Sequence, residues 1–379
     1  MKILFINGTN NIGGGELSLF SIAKYFKNNC SVVSFDKGDY TKLLEKEKID
    51  SIVLNNAKEL LNIKREKGFL GVLEKLRFLI LTIFELRNLI KKYNVIYCNS
   101  QKAILLGLVS TIGINKKIII HVRDMMDNPN ISKFQIKMFK LLIYIKKPVI
   151  IVNSYATKQA LFKIGIKTKI NVIYNGITLP NKLSKIDYLE NNKKFIIAMF
   201  SRISHWKGQD YFIETINKLK EYENFKHMEF WIVGDAVMGS EEEKYKQKIL
   251  SKIKEYNLEK HIKFFGFVEN PLDYMQYIDV LVLPSIYPEP FGRVVVEAML
   301  LKKVVIATNM GGVKEIIDNN EDGILVDMEI LIKTLKNKFI ELYENKKLYN
   351  KLAESAYLKA KENFTEDTML YKINKIIKG

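Results

Sequence analysis

"PSIYPEPFGRVVVEAM", residues 284–299, joins a segment that cannot continue a strand to one that reads as a buried helix. The run before it, "DVLVLPS" (279–285), is a short apolar strand, and Pro288 and Pro290 end it because neither has an amide to donate. "GRVVVEAMLLKK" then carries apolar residues at helical spacing. Glu289 is therefore expected at the C-terminal edge of a strand and Gly292 at the start of a helix. The missing side chain of Gly292 lets a ligand reach the first helix amides, which with the helix dipole suit an anion. Glu297 follows one to two turns in, where its carboxylate can accept hydrogen bonds from a diol such as a ribose.

Outward from this stretch the same alternation of apolar run, loop and helix fills the chain. "KFIIAMFSR" (194–202), "MEFWIVGDA" (228–236), "IKFFGFV" (262–268), "KVVIAT" (303–308) and "GILVD" (323–327) read as strands of one series. "KILFIN" at the start, "CSVVSF" (30–35), "SIVLN" (51–55), "VIYCNS" (95–100), "KIIIHV" (117–122) and "PVIIVNS" (148–154) form another. Short apolar strands separated by helices imply parallel sheets covered on both faces. A chain of 379 residues also exceeds the about 250–300 at which single cores stop growing. The expected architecture is α/β, with two Rossmann-like doubly wound domains facing a central cleft. These are 1–182 on the acceptor side and 195–357 for donor binding, with the lysine-rich "NKLSKIDYLENNKK" supplying a linker over 183–194. A C-terminal helix over 358–379 is free to pack back on the first domain.

Cys30 and Cys98 lie in or beside apolar runs without metal or redox spacing, so they read as core thiols of a cytoplasmic protein. The longest apolar run, "FLILTIF" (78–84), is broken by Glu85 and is too short to span a membrane. Charge is uneven. Residues 1–190 hold 31 Lys+Arg against 14 Asp+Glu, leaving 29 against 28 for the rest. Two stretches, 60–93 with Lys64, Arg65, Lys67, Lys75, Arg77, Arg87, Lys91 and Lys92, and 131–147, combine apolar periodicity with cations. Their apolar stripes are expected to pack on the sheet, and the excess charge points to an anionic membrane surface at the inner face of the plasma membrane. No nucleic-acid motif accompanies the charge, which excludes nucleic acid as the expected partner.

Residues 289–327, "EPFGRVVVEAMLLKKVVIATNMGGVKEIIDNNEDGILVD", resemble the donor-binding segment of family 4 retaining glycosyltransferases of the GT-B fold, with Glu289 and Glu297 in the E-x7-E arrangement. "SRISHWKGQDYFIETINKL" (201–219) resembles that family's Arg…Lys-Gly phosphate motif, and "NGTNNIGGGELSLFSIA" its N-terminal glycine loop. "IIIHVRD" resembles its histidine-bearing strand. The resemblance implies that Arg202 and Lys207 bind the donor diphosphate, with Phe291, Gly292, Gly14 and Gly15 beside it, and that Glu297 binds the ribose. It places Glu289 and His121 at the transferred sugar, as the catalytic pair. It implies a nucleotide sugar as substrate rather than a cofactor, no metal, and a glycan or lipid-linked acceptor in bacterial surface polysaccharide assembly. Ser201 departs from the glycine usual in that motif.

Each residue also has a plainer reading. Arg293 can be a solvated cation, Asp124 the partner of His121, Gly208 a turn glycine, and Ser154 and Asn175 a helix cap and a tight turn. The glycine loop lacks the G-x-G-x-x-G spacing of dinucleotide enzymes. Other reactions on the same frame, a sugar-nucleotide epimerase or a phosphorylase, and a catalytically silent membrane-bound binding partner are the alternatives.

Overall fold

The computed structural model describes residues 1–61, 69–129, 131–186, 194–237 and 239–379, with 60, 61 and 69–75 described at the backbone alone. The expected linker therefore falls partly outside the described residues, as do Lys64, Arg65, Lys67 and the side chain of Lys75.

Alternation within single strands sets the layers. In β1 (Ile3–Asn7), Leu4 and Ile6 join one buried cluster while Ile3 and Phe5 join another on the opposite face. β2 (Cys30–Ser34), β3 (Asp50–Val53), β4 (Val95–Cys98), β5 (Lys117–Val122), β6 (Val149–Val152) and β7 (Ile170–Val172) complete the first sheet. Its order is β3-β2-β1-β4-β5-β6-β7, every pairing parallel. β8 (Phe195–Phe200), β9 (Met228–Val233), β10 (Ile262–Gly266), β11 (Val280–Leu283), β12 (Val304–Thr308) and β13 (Ile324–Val326) form the second, in the order β10-β9-β8-β11-β12-β13 and again parallel. Both sheets reverse their winding between the first and fourth strand, β1/β4 and β8/β11. A ligand crevice opens at such a point beyond the strand C-terminal ends.

The chain divides into two compact units, Met1–Gly176 with Glu366–Gly379, and Ile177–Thr365. The helical tail resolves into Leu331–Glu344, Lys346–Asn363 and Glu366–Lys378. Met369, Leu370, Ile373 and Ile377 of the last helix are buried with Ile3, Phe5, Leu19 and Ile22 of the first unit. Lys117 Nζ donates to the carbonyl of Ile377.

On the other face of the first sheet, the helices Phe69–Ile90, Gln101–Ser110 and Lys133–Lys146 share one core through Leu86, Ile104, Leu108, Phe139 and Leu142. Both cysteines are free and buried, and burial pushes each thiol up to about 12, as befits core thiols. Among the described residues no helix is long and apolar enough to cross a membrane.

Gly107 marks how closely a helix approaches the first sheet, since a Cβ there would overlap Cys98 Sγ. Gly107→Ala is expected to lower the unfolding free energy by about 1–3 kcal/mol through overpacking. Adding Cys98→Ala should restore part of the loss, so urea unfolding of the two single variants and the double should show favourable coupling. Additive effects would mean the sulfur is not what the new methyl meets.

Candidate active site

In the second unit, the loops after β8 and β11 meet at the switch point. The turn His205–Lys207 follows β8, and Gly208 carries the chain out of it with φ +75°. A side chain at Gly208 would overlap the carbonyl of Pro284, so the turn packs directly on the loop after β11. Ile286 N donates to Trp206 O at 2.8 Å and ties the two loops together. Thr308 at the end of β12 donates its hydroxyl to Ser285 O at 2.7 Å. Gly311, with φ +63°, and Gly312 press their backbones on residues 288–291, and Gly312 N donates to Glu289 O at 2.7 Å.

This bracing fixes the Glu289 side chain. Its Oε1 accepts from Lys207 Nζ at 2.6 Å and from Ser285 Oγ at 2.5 Å, with both members of the ion pair largely buried. Burial pushes the Glu289 carboxyl up, but the Lys207 ammonium, the Ser285 hydroxyl and the charge of Arg202 outweigh it and hold the carboxyl below the ordinary range. Arg202 lies with its guanidinium 5.4 Å from the ring centre of Trp206 and its Nε 4.0 Å from Glu242 Oε1. Trp206 in turn meets Tyr287 edge-on. The buried Gln209 donates to Ser201 Oγ and Arg202 O, so serine in place of the usual glycine is built into the loop.

Gly292 caps the helix Arg293–Leu300 in a left-handed conformation, φ +103°. Glu297 Oε1 accepts from Arg293 Nε at 2.8 Å, both partly buried, so Arg293 is the partner of Glu297 and not a solvated cation. Phe291 is buried with its ring edge-on to Phe364. That ring is committed to packing.

In the first unit the strand ends carry a hydrogen-bond network. Arg123, just beyond β5, donates to Asn99 Oδ1 and Asn175 Oδ1, each at 2.7 Å, and through Nη2 to His121 Nδ1 at 3.1 Å. The Tyr97 hydroxyl sits 2.6 Å from the same Nδ1. His121 is thus held by Tyr97 and Arg123, not by Asp124. An arginine can only donate, so Nδ1 accepts and the neutral ring carries its proton on Nε2. Burial first, and the Arg123 charge second, hold the imidazole well below the ordinary histidine value. Nε2 is buried without a hydrogen-bond partner.

Gly14 opens the helix Gly14–Tyr25, and the carbonyl of Gly15 accepts from Asn99 Nδ2 at 3.2 Å. Asn175 proves to be an acceptor for Arg123 and Ser18 rather than a plain turn residue, whereas Ser154 does cap the helix Tyr155–Lys163. Among the described residues no three His, Cys, Asp or Glu side chains come together as a metal site.

Sequence reasoning missed Ser285, Tyr97, Asn99, Arg123 and Trp206 as members of these clusters. Ser285 and Arg123 stood inside the quoted motifs. Tyr97 and Asn99 reveal themselves only through strand pairing, since β4 lies between β1 and β5.

Two parallel-sheet units of this topology, with charged loops gathered at a switch point, define the GT-B class of glycosyltransferases. The chain belongs to the family 4, or group 1, glycosyltransferases: the family model "Glycosyltransferase Family 4" matches residues 12–179 and "Glycosyl transferases group 1" matches residues 181–359. Its fold is similar to the crystal structure of Anabaena Alr3699/HepE in complex with UDP and glucose, at 28% identity and TM-score 0.86 over 100% of both chains. An uncharacterized glycosyltransferase of Methanocaldococcus jannaschii, MJ1178, is 28% identical over 91% of this chain and 88% of its own. The Campylobacter jejuni GalNAc-alpha-(1->4)-GalNAc-alpha-(1->3)-diNAcBac-PP-undecaprenol alpha-1,4-N-acetyl-D-galactosaminyltransferase is 24% identical over 93% of this chain and 91% of its own.

Because the folded Glu289 carboxyl titrates below its unfolded value, its pairing stabilises the fold fully above that value and is lost as pH falls through the folded one. Lys207→Met should therefore lower the unfolding free energy by roughly 1–3 kcal/mol near pH 7. The deficit should shrink as the pH approaches the ordinary carboxylate range of about 4. Urea unfolding at the two pH values checks this, and an equal deficit at both would assign the loss to packing alone.

Proposed function

We propose that the chain is a retaining, metal-independent hexosyltransferase that moves a sugar from a nucleoside diphosphate sugar to a glycan or lipid-linked acceptor. Its setting is bacterial surface polysaccharide assembly, as a peripheral enzyme on the anionic inner face of the plasma membrane. One observation carries the reading: an ionised Glu289 held by Lys207 and Ser285 at the switch point of the second sheet, with Arg202 near enough to lower its carboxyl further.

In this reading the diphosphate takes Lys207 and Arg202 as counter-charges, beside the amides at the Gly292 end of the helix. An α-helix leaves its first amides without intrahelical partners, and Gly292 has no side chain to obstruct them. As the bond to the leaving diphosphate stretches, negative charge grows on the phosphate oxygens. Two fixed cations in a partly buried site stabilise that charge without reorganising. These cations support independence from a metal.

The sugar meanwhile gains oxocarbenium character. Glu289, held ionised, supplies the opposing negative charge. Glu297, oriented by Arg293, accepts from the ribose diol, and His121 offers Nε2–H to a sugar hydroxyl. Gly14 and Gly15 are proposed as further donor contacts on the resemblance of the glycine loop that carries them. Retention of configuration is supported by the resemblance of residues 289–297, and a lipid-linked acceptor by the name of the Campylobacter relative and the positive first half.

A screen of nucleotide sugars for thermal stabilisation tests donor binding, since a ligand at 100 times its dissociation constant adds about 2.7 kcal/mol. Glu297→Ala is expected to weaken that binding by about tenfold or more. Glu289→Gln should leave binding largely intact and lower kcat. Wild-type donor affinity and rate in both variants would falsify these roles. Turnover is expected to survive EDTA, with the product's anomeric configuration matching the donor's by NMR. Loss on chelation restored by Mg²⁺, or an inverted anomer, would refute the mechanism.

A further inference from the structure

The outer layer of the first unit departs from the usual pattern of a soluble domain. A helix packed on a sheet ordinarily turns its apolar stripe inward and its polar face to water. The helix Lys133–Lys146 buries Phe139, Leu142 and Ile143 as expected. Yet Phe134 is 71% exposed and Tyr144 78%, and Leu141 and Ile145 are exposed as well. Phe134, Leu141 and Ile145 fall on one stripe at about 3.6 residues per turn. Lys133, Lys137 and Lys140, all exposed, accompany them, and residues 131–147 contain five lysines and no Asp or Glu. The helix Phe69–Ile90, in the same layer, exposes Leu76, Ile80 and Phe84 together with Arg77.

These side chains cannot easily turn inward. Both helices are pinned to the end of Gln101–Ser110 between them. Arg87 donates to the carbonyls of Ser110 and Ile112, and Lys146 to those of Thr111 and Ile114. Four carbonyls at the helix C-terminus and in the turn just beyond it are thus met by two cations, an arrangement the helix dipole favours and one that fixes the layer.

We propose that this layer is a membrane-docking surface. Phe134, Leu141, Tyr144 and Ile145 seat at the headgroup–acyl boundary of a bilayer, and Lys133, Lys137 and Lys140 meet anionic headgroups. Interfacial helices combine these features, an apolar and aromatic stripe with a basic polar face. A second copy of the chain is a poor occupant, because residues 131–147 offer no carboxylate to answer their own lysines. The parallel topology adds a geometric consequence. The helix connects β5 to the parallel β6, so its N-terminal residues Lys133 and Phe134 belong to the C-terminal side of the sheet, as do His121 and Arg123. The proposal gives a location to the anionic-membrane part of the function above and rests on it, but not on the donor chemistry.

The test uses the full chain with phosphatidylcholine vesicles, with and without phosphatidylglycerol. Wild type should float with the anionic vesicles, and part of the binding should survive salt well above the about 0.1 M at which screening reaches 10 Å, since apolar insertion persists. Tyr144→Trp should add an emission component, over the background of Trp206 and Trp231, that shifts to the blue and is quenched by brominated phospholipid. Phe134→Ser combined with Leu141→Ser should weaken vesicle binding by about tenfold or more. Stabilisation by the nucleotide sugar should stay intact in each variant, which also shows that it is folded.

Equal vesicle binding by the double variant, or an unquenched Tyr144→Trp, overturns the proposal. So does a wild type that ignores lipid but self-associates, or binds an acidic protein, through this face. Vesicle binding that behaves as expected in a chain no nucleotide sugar stabilises refutes the transferase reading and leaves the docking surface standing.

Discussion

A carboxylate taken largely out of water must keep a cation beside it, and the second unit is arranged around that requirement at Glu289. Desolvation alone drives the carboxyl toward its neutral form. Lys207 and Ser285 reverse the balance because both reach the same oxygen, and they do so from different loops. Lys207 arrives on the turn after β8, Ser285 and Glu289 on the loop after β11, and Gly311 and Gly312 after β12 back that loop. Three successive strand ends are therefore committed to a single charge. The glycines matter here as contact surfaces, since each lies where one backbone rests on another and any side chain would separate the loops.

The first unit solves a different problem with the same sheet order. Its buried cation, Arg123, is surrounded by the amides of Asn99 and Asn175 and by a neutral imidazole. The contrast is between a paired charge in the second unit and a network around a neutral imidazole in the first. Such a network orients donors around a neutral ring. His121 is the clearest instance, because its tautomer follows from what Arg123 can donate and its remaining N–H is left without a protein acceptor.

Much of this was legible in the residues. Two parallel sheets follow from apolar runs of strand length recurring between helices, and every such run named from the sequence became a strand. Glu289, Lys207 and Arg202 could be named because loop motifs keep their chemistry in short, contiguous spacing. The Tyr97–His121–Arg123–Asn99 network could not, since its members come together only when β4 and β5 pair in register. Hydrophobic periodicity was an incomplete guide along 131–147. There the sequence period reads as an ordinary core-facing helix, and only the packed sheet shows that one helix has more apolar side chains than the core can cover.

The last helix also bears on how the protein is made. Glu366–Lys378 supplies Met369, Leu370, Ile373 and Ile377 to a core whose other walls come from β1 and Gly14–Tyr25. On the ribosome, the first unit emerges first but lacks one wall until about 200 further residues have been added. At about 5–20 residues per second that interval is roughly 10–40 s, long compared with the folding of most single domains. Ile177–Thr365, continuous in sequence, is nearly all of the chain added in that interval. Throughout that interval the nascent chain holds an unsealed apolar sheet face in its first unit, a surface that chaperones can recognise.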